Sequence, residues 1–193
     1  MQLNKIHLAC GNNLYNGWDN YDYFPTNGAN HINLLEPLPF KNNSIDYIYF
    51  EHALEHFDEV DGYSLLQQFF NILKPMGIVR IVTPSLDTYL ERYNDWSSAS
   101  SEHKQKFHNE TQFLNFAFFG ENISDDIKFL NGMKSQQVGH KFLYSKVNLI
   151  QKLQKIGFSI NMCKYNISEY EELKNLESRP DYKDIIIEAT KNV

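Results

Sequence analysis

The stretch from Ser44 to Thr83 constrains the fold most. Ser44 to Phe50 (SIDYIYF) is β-branched and aromatic, the composition of a central strand. Asp58 to Leu73 then carries Leu65, Leu66, Phe69, Phe70 and Leu73 at helical spacing, and Pro75 and Gly77 stop it. Ile78 to Thr83 (IVRIVT) is a second apolar strand, ended by Pro84. Strand, helix, strand is the repeating unit of an α/β sheet.

The flanking sequence extends the pattern. Strands are expected at Lys5–Ala9, Trp18–Tyr23 and His31–Leu34, with a proline-punctuated loop from Glu36 to Asn43. Only about eight residues separate the first two strands, whereas a parallel crossover usually needs a dozen or more. The first helix is therefore expected to be cut down to a turn or less. Beyond Pro84, Leu86–Tyr93 reads as a helix and 97–101 as a Ser-rich loop. A further helix places Phe107, Thr111, Leu114 and Phe118 on one face, closed by Gly120, and a short one follows from Ser124 to Gly132. Ser145 caps a helix with Val147, Ile150, Leu153 and Ile156 inward and Gly157 at its C-cap. Phe158–Lys164 and Asp184–Ala189 read as the last strands.

A length of 193 residues, 42% of them hydrophobic, suits one domain spanning 1–193. The net charge of −6, with no Lys/Arg run, argues against a bulk nucleic-acid partner. Cys10 and Cys163 form no metal-spaced set and no disulfide framework. The opening MQLNKIHLAC is too short and polar for a signal peptide, and no apolar run approaches the roughly 20 residues that span a bilayer. The expectation is a cytoplasmic protein without a membrane partner, monomeric or homodimeric.

In an open parallel sheet, ligands bind beyond the carboxyl ends of the strands. The residues standing there are Ala9-Cys10-Gly11-Asn12, Asp22-Tyr23, Asn33-Leu34, Glu51-His52 and Pro84-Ser85. Gly11 lets a ligand approach the backbone closely. Asp22 is an acceptor-only carboxylate suited to two ribose hydroxyls. Asn33-Leu34 offers an amide and an apolar surface to an adenine ring. Taken singly, Gly11 is equally a turn glycine and Asp22 a solvated turn residue; their order after successive strands is what singles them out. A nicotinamide dinucleotide site wants G-x-G-x-x-G with an acid about 20 residues later. Here only Gly11 and Gly17 are present, and Asp22 follows too soon.

These stretches resemble class I S-adenosylmethionine-dependent methyltransferases, in a small-molecule or glycan-type branch with a short first crossover. HLACGNN…GWDNYD resembles the first motif, and LEPLPFKNNSIDYIYFEHALEHF the run from the third strand to the helix after the fourth. ILKPMGIVRIVTPSLD, GHKFLYS and ELKNLESRP resemble later parts, so the similarity covers 6–96 and 139–190. The resemblance implies a seven-stranded, mostly parallel Rossmann-like sheet of order 3-2-1-4-5-7-6. Its last strand is antiparallel and helices lie on both faces. It also implies S-adenosyl-L-methionine as cofactor, leaving as S-adenosyl-L-homocysteine. Cofactor-binding positions carry over to Ala9, Gly11, Asp22, Asn33, Glu51 and His52, with Cys10, Asn12, Tyr23 and Leu34 beside them. Ala9 stands where the pattern has Gly, Asn33 replaces a common Asp, and Met76 replaces the first Gly of a turn.

Methyl transfer from a sulfonium needs alignment more than a base, although a base helps a hydroxyl acceptor. His52 and His140 are the candidate catalytic residues. His56 and Glu55 pair within the fold on one reading; His52 and His56, four apart, have metal-binding spacing on another. No third ligand is evident, so no metal is expected. His140 and Tyr144 either face the acceptor or bond to backbone. The aromatic-rich segment at about 97–138 is expected to form a helical lid over a small-molecule or glycan acceptor. The alternative to an enzyme is a non-catalytic member of the fold serving in binding or assembly.

Overall fold

The computed structural model describes residues 3–26, 28–98, 109–119, 139–179 and 183–192. Its strands are β1 (Lys5–Leu8), β2 (Asp19–Asp22), β3 (Asn30–His31), β4 (Ile45–Glu51), β5 (Leu73–Thr83), β6 (Phe158–Met162) and β7 (Ile185–Lys191). They form one sheet of order β3-β2-β1-β4-β5-β7-β6. The pairs from β3 to β5 are parallel, and β7 runs antiparallel to both β5 and β6. Among the described residues the helices are α1 (Glu59–Ile72), α2 (Leu86–Asn94), α3 (Glu110–Phe119) and α4 (Lys146–Ile156). None of them is long and apolar enough to cross a membrane.

One face of the sheet is covered by α1 and α4. Asp58 starts α1 by accepting from the Val60 and Asp61 N–H groups, which satisfies donors that the first turn leaves open. Leu65, Leu66, Phe69 and Ile72 then turn inward, and Phe69 meets Phe50 of β4 edge-on at 5.3 Å. Ser145 caps α4, and Gly157, in the left-handed region at φ 118°, closes it. The inward face of α4 keeps the expected Leu153, with Ile150 and Ile156 packed against the core, but buries Leu149 where Val147 was expected; Val147 is 63% exposed. In α3 it is Phe113 that packs inward, while Thr111 is exposed.

Several boundaries also shift. The third strand is shorter than expected, two residues at Asn30–His31. Pro75 and Gly77 do not stand between a helix and a strand. Instead α1 passes directly into β5, and Leu73 pairs with Ile45 before Ile78 pairs with Tyr47. Residues 74–77 bulge out of that register, with Met76 at φ 64°.

The short first crossover is confirmed: only turns join β1 to β2. This leaves the second sheet face without a first helix, and the chain between β6 and β7 covers it instead. Leu173 and Leu176 pack with Trp18, Tyr49, Ile78, Val82 and Ile186. Polar ties hold the segment down. Lys5 pairs with Glu172, and the Tyr15 hydroxyl donates to the Leu176 carbonyl. Arg80, fully buried in β5, lies opposite Glu188 of β7 and bonds it. The same guanidinium donates to Glu177 at 2.7 Å and to the Ile167 and Lys164 carbonyls.

Candidate active site

The expected ligand residues do gather at the carboxyl edge of the sheet. Leaving β1, the chain passes through Ala9 at φ 55° and Gly11 at φ 53°. The Gly11 N–H donates to Asp22 Oδ2 at 2.8 Å, joining the end of β1 to the end of β2. Asp22 Oδ1 accepts from the Phe24 N–H at 2.9 Å. Each oxygen keeps a lone pair. A Cβ built on Gly11 would meet nothing within 4 Å, so its backbone borders open space. At Ala9 the left-handed backbone costs about 1–2 kcal/mol for a residue with a Cβ. The glycine of the resembling pattern thus answers to conformation as much as to room.

Other expected cofactor residues are differently engaged. The Cys10 side chain is buried, and burial first, then Asp22, pushes its thiol up to about 11. Asn12 is exposed. Asn33 spends its amide locally, donating to Glu36 at 2.9 Å and accepting from the Leu35 N–H at 3.1 Å. Leu34 packs against the core edge, and Tyr23 lies exposed against Phe24. Glu51 turns to the tail: its carboxylate accepts the Ser178 N–H at 3.0 Å and hydroxyl at 2.6 Å.

A second polar group stands just beyond β4 and β5. His52 leaves β4 at φ 47°, a strained conformation for a residue with a side chain. Its Nε2 lies 2.9 Å from Asp184 Oδ2, off the line of a straight hydrogen bond, and its Nδ1 lies 3.6 Å from Glu55 Oε1. Burial opposes the imidazolium charge, yet Asp184 and then Glu55 outweigh it and raise His52 to about 9. Glu55 is 1% exposed. Burial disfavours its charge, but His52 and His56 reverse that and hold the carboxyl below its usual range. Thr83, the last residue of β5, donates to Glu55 Oε2 at 3.1 Å.

His56 and His140 meet here with ring centroids 5.3 Å apart, and His56 Nδ1 lies 2.9 Å from the Gly139 carbonyl oxygen. Tyr144 does not join them. It is fully buried in the core, where a Cβ on Gly62 would come within 2.6 Å of its hydroxyl.

Asp184 and Thr83 were missed in the sequence. Thr83 ends a readable strand and was open to inspection, whereas the Asp184 contact crosses most of the chain. Of the proposed lid, 99–108 and 120–138 lie outside the described residues. The described part, α3, packs Phe113 against Tyr89 of α2 and Trp96.

A family model described as a methyltransferase domain matches residues 12–161. The chain therefore belongs to that family and is a class I S-adenosylmethionine-dependent methyltransferase. No curated protein matches it. Solved structures share its fold at low identity. A SAM-dependent methyltransferase from Archaeoglobus fulgidus is 15% identical with a TM-score of 0.54, over 98% of this chain and 86% of that one. An S-adenosylmethionine-dependent methyltransferase from Mesorhizobium loti is 14% identical with a TM-score of 0.52, over 97% and 90%. The YcgJ protein of Bacillus subtilis is 11% identical with a TM-score of 0.55, over 100% and 93%.

The cofactor is S-adenosylmethionine, and the residues present fit it. Asp22 keeps acceptor capacity for a ribose diol, Gly11 borders open space, and no phosphate cradle is needed.

Proposed function

We propose that this chain methylates a hydroxyl or amine of a small-molecule or sugar acceptor. The Gly11–Asp22 junction, with open space beside it, would hold the nucleoside, and this observation carries the reading. S-adenosylmethionine supplies a methyl group already activated on a sulfonium. The protein must then align an acceptor lone pair about 3–3.5 Å from that methyl. Backbone of Ala9–Asn12 would line the cofactor's amino-acid portion, and Leu34 with Tyr23 would flank its base. His52, raised to about 9, carries a proton at neutral pH, so it contributes positive charge and position there and accepts no proton. His140, beside His56, would face the acceptor.

The test is calorimetry with S-adenosylhomocysteine on the wild type and Asp22→Asn. Losing a hydrogen bond to a charged group costs about 1.5–3 kcal/mol, so affinity should fall about 10–100-fold. A wild type that releases no heat refutes the reading and favours the non-catalytic alternative; unchanged affinity in Asp22→Asn refutes the ribose role.

A further inference from the structure

We propose that Glu55, His56 and His140 bind one divalent transition-metal ion beside the methyl-transfer site; only what the ion faces rests on the methyl-transfer reading. One ligand atom from each residue lies within 4.8 Å of the other two. The cluster is built, not a chance of surface charge. The Gly139 carbonyl can only accept, so the His56 Nδ1 beside it at 2.9 Å carries the hydrogen. This leaves the Nε2 lone pair available, 4.0 Å from Glu55 Oε1. A histidine whose second nitrogen is fixed by a carbonyl is the usual arrangement of a metal ligand. Thr83 holds the other Glu55 oxygen, Oε2, at 3.1 Å, leaving Oε1 toward the imidazoles. The Glu55 backbone carbonyl accepts from Lys141 N at 2.8 Å and Phe142 N at 3.2 Å, which ties the His140 segment to the Glu55 turn.

Two imidazole nitrogens and one carboxylate oxygen favour Zn²⁺ or Co²⁺ over Mg²⁺, Ca²⁺ and Mn²⁺, which suit oxygen ligands. Around zinc, bonds of about 2.0–2.1 Å put ligand atoms about 3.4 Å apart. Closing from 4.8 Å asks for shifts of about 1 Å, within reach of the two half-buried imidazoles. Three protein ligands leave coordination positions open, as in catalytic rather than structural sites. The cluster stands at the same sheet edge as Asp22, so those positions suit an oxygen-rich acceptor.

The full chain, stripped with chelator, is titrated with Co²⁺ and followed by visible absorption, and with Zn²⁺ by calorimetry. One equivalent should bind, without thiolate charge-transfer absorption, so that Cys10 and Cys163 are not its ligands. His140→Ala should weaken binding more than about 100-fold. Thr83→Val, which keeps every ligand, should weaken it about 10–100-fold, the range for an outer partner. Absence of binding by the folded wild type overturns the proposal, as does unchanged affinity in His140→Ala. S-adenosylhomocysteine calorimetry on the same samples separates the two ideas. Cofactor binding without metal sinks the ion alone, and metal binding without cofactor sinks only the methyl-transfer reading.

Discussion

Replacing Arg80 with Met tests whether a buried ion cluster holds the tail over the sheet. Met keeps much of the volume and removes the charge and all the donors. Glu177 and Glu188, both buried, then lose their counter-charge, and the Lys164 and Ile167 carbonyls lose a donor. Breaking a buried pair from one side costs about 3–5 kcal/mol. The expected loss at pH 7 is thus about 3–5 kcal/mol, or about 6–20 °C in Tm for a domain of this size. Urea unfolding followed by tryptophan fluorescence reads it, because Trp18 lies in the cluster that the tail covers. The triple variant Arg80→Met, Glu177→Met, Glu188→Met should recover most of the loss, since apolar replacement of a whole buried cluster is often neutral or better. A loss below about 1 kcal/mol at pH 7, or no recovery in the triple variant, refutes the reasoning.

Neighbouring positions in the 74–77 bulge should respond with opposite signs. Met76→Gly relieves a left-handed residue and should stabilise by about 0.5–1 kcal/mol after glycine's greater unfolded freedom is subtracted. Gly77→Ala should destabilise by about 1–3 kcal/mol, because its Cβ would meet the Lys74 carbonyl oxygen at 2.9 Å and that of Ile45 at 3.0 Å. Chemical denaturation of both variants checks the pair. His7, lowered to about 4 chiefly by burial, should make the fold acid-sensitive. Below about 6.5 the unfolded chain binds a proton that the folded chain refuses until about pH 4. Stability therefore falls across that window, by up to about 3 kcal/mol. Relative to the wild type, His7→Phe should lack that slope, and parallel pH-stability curves would contradict it.

The sheet was legible because its strands announce themselves locally. SIDYIYF and IVRIVT are apolar runs bounded by polar or proline punctuation, and the order of the strand-end residues points to Gly11 and Asp22, which the structure joins by a hydrogen bond. What escaped was whatever depends on a distant partner. Glu51 stands at a strand end as expected, but its carboxylate is claimed by Ser178, a contact that no local pattern encodes. Val147 keeps helical spacing with Ile150 and so reads as inward. The structure keeps Leu153 inward but buries Leu149 in place of Val147, a choice made by the shape of the sheet it packs on.

Arg80 shows how such a contact can still leave a trace. A cation in the middle of an apolar strand must find a partner or forfeit several kcal/mol of burial, so IVRIVT implied a buried acid without naming it. The acid in IIIEATK has the same anomaly, and the β5–β7 register sets the two opposite each other. Glu177 comes from the tail and completes the set. Reading such misfits as paired demands would also have caught the cluster around Glu55. Glu55, buried beside apolar Leu54, required cations or donors around it. His52, His56 and Thr83 are those groups, and His140 is brought to them by the backbone bonds from 141 and 142 to Glu55.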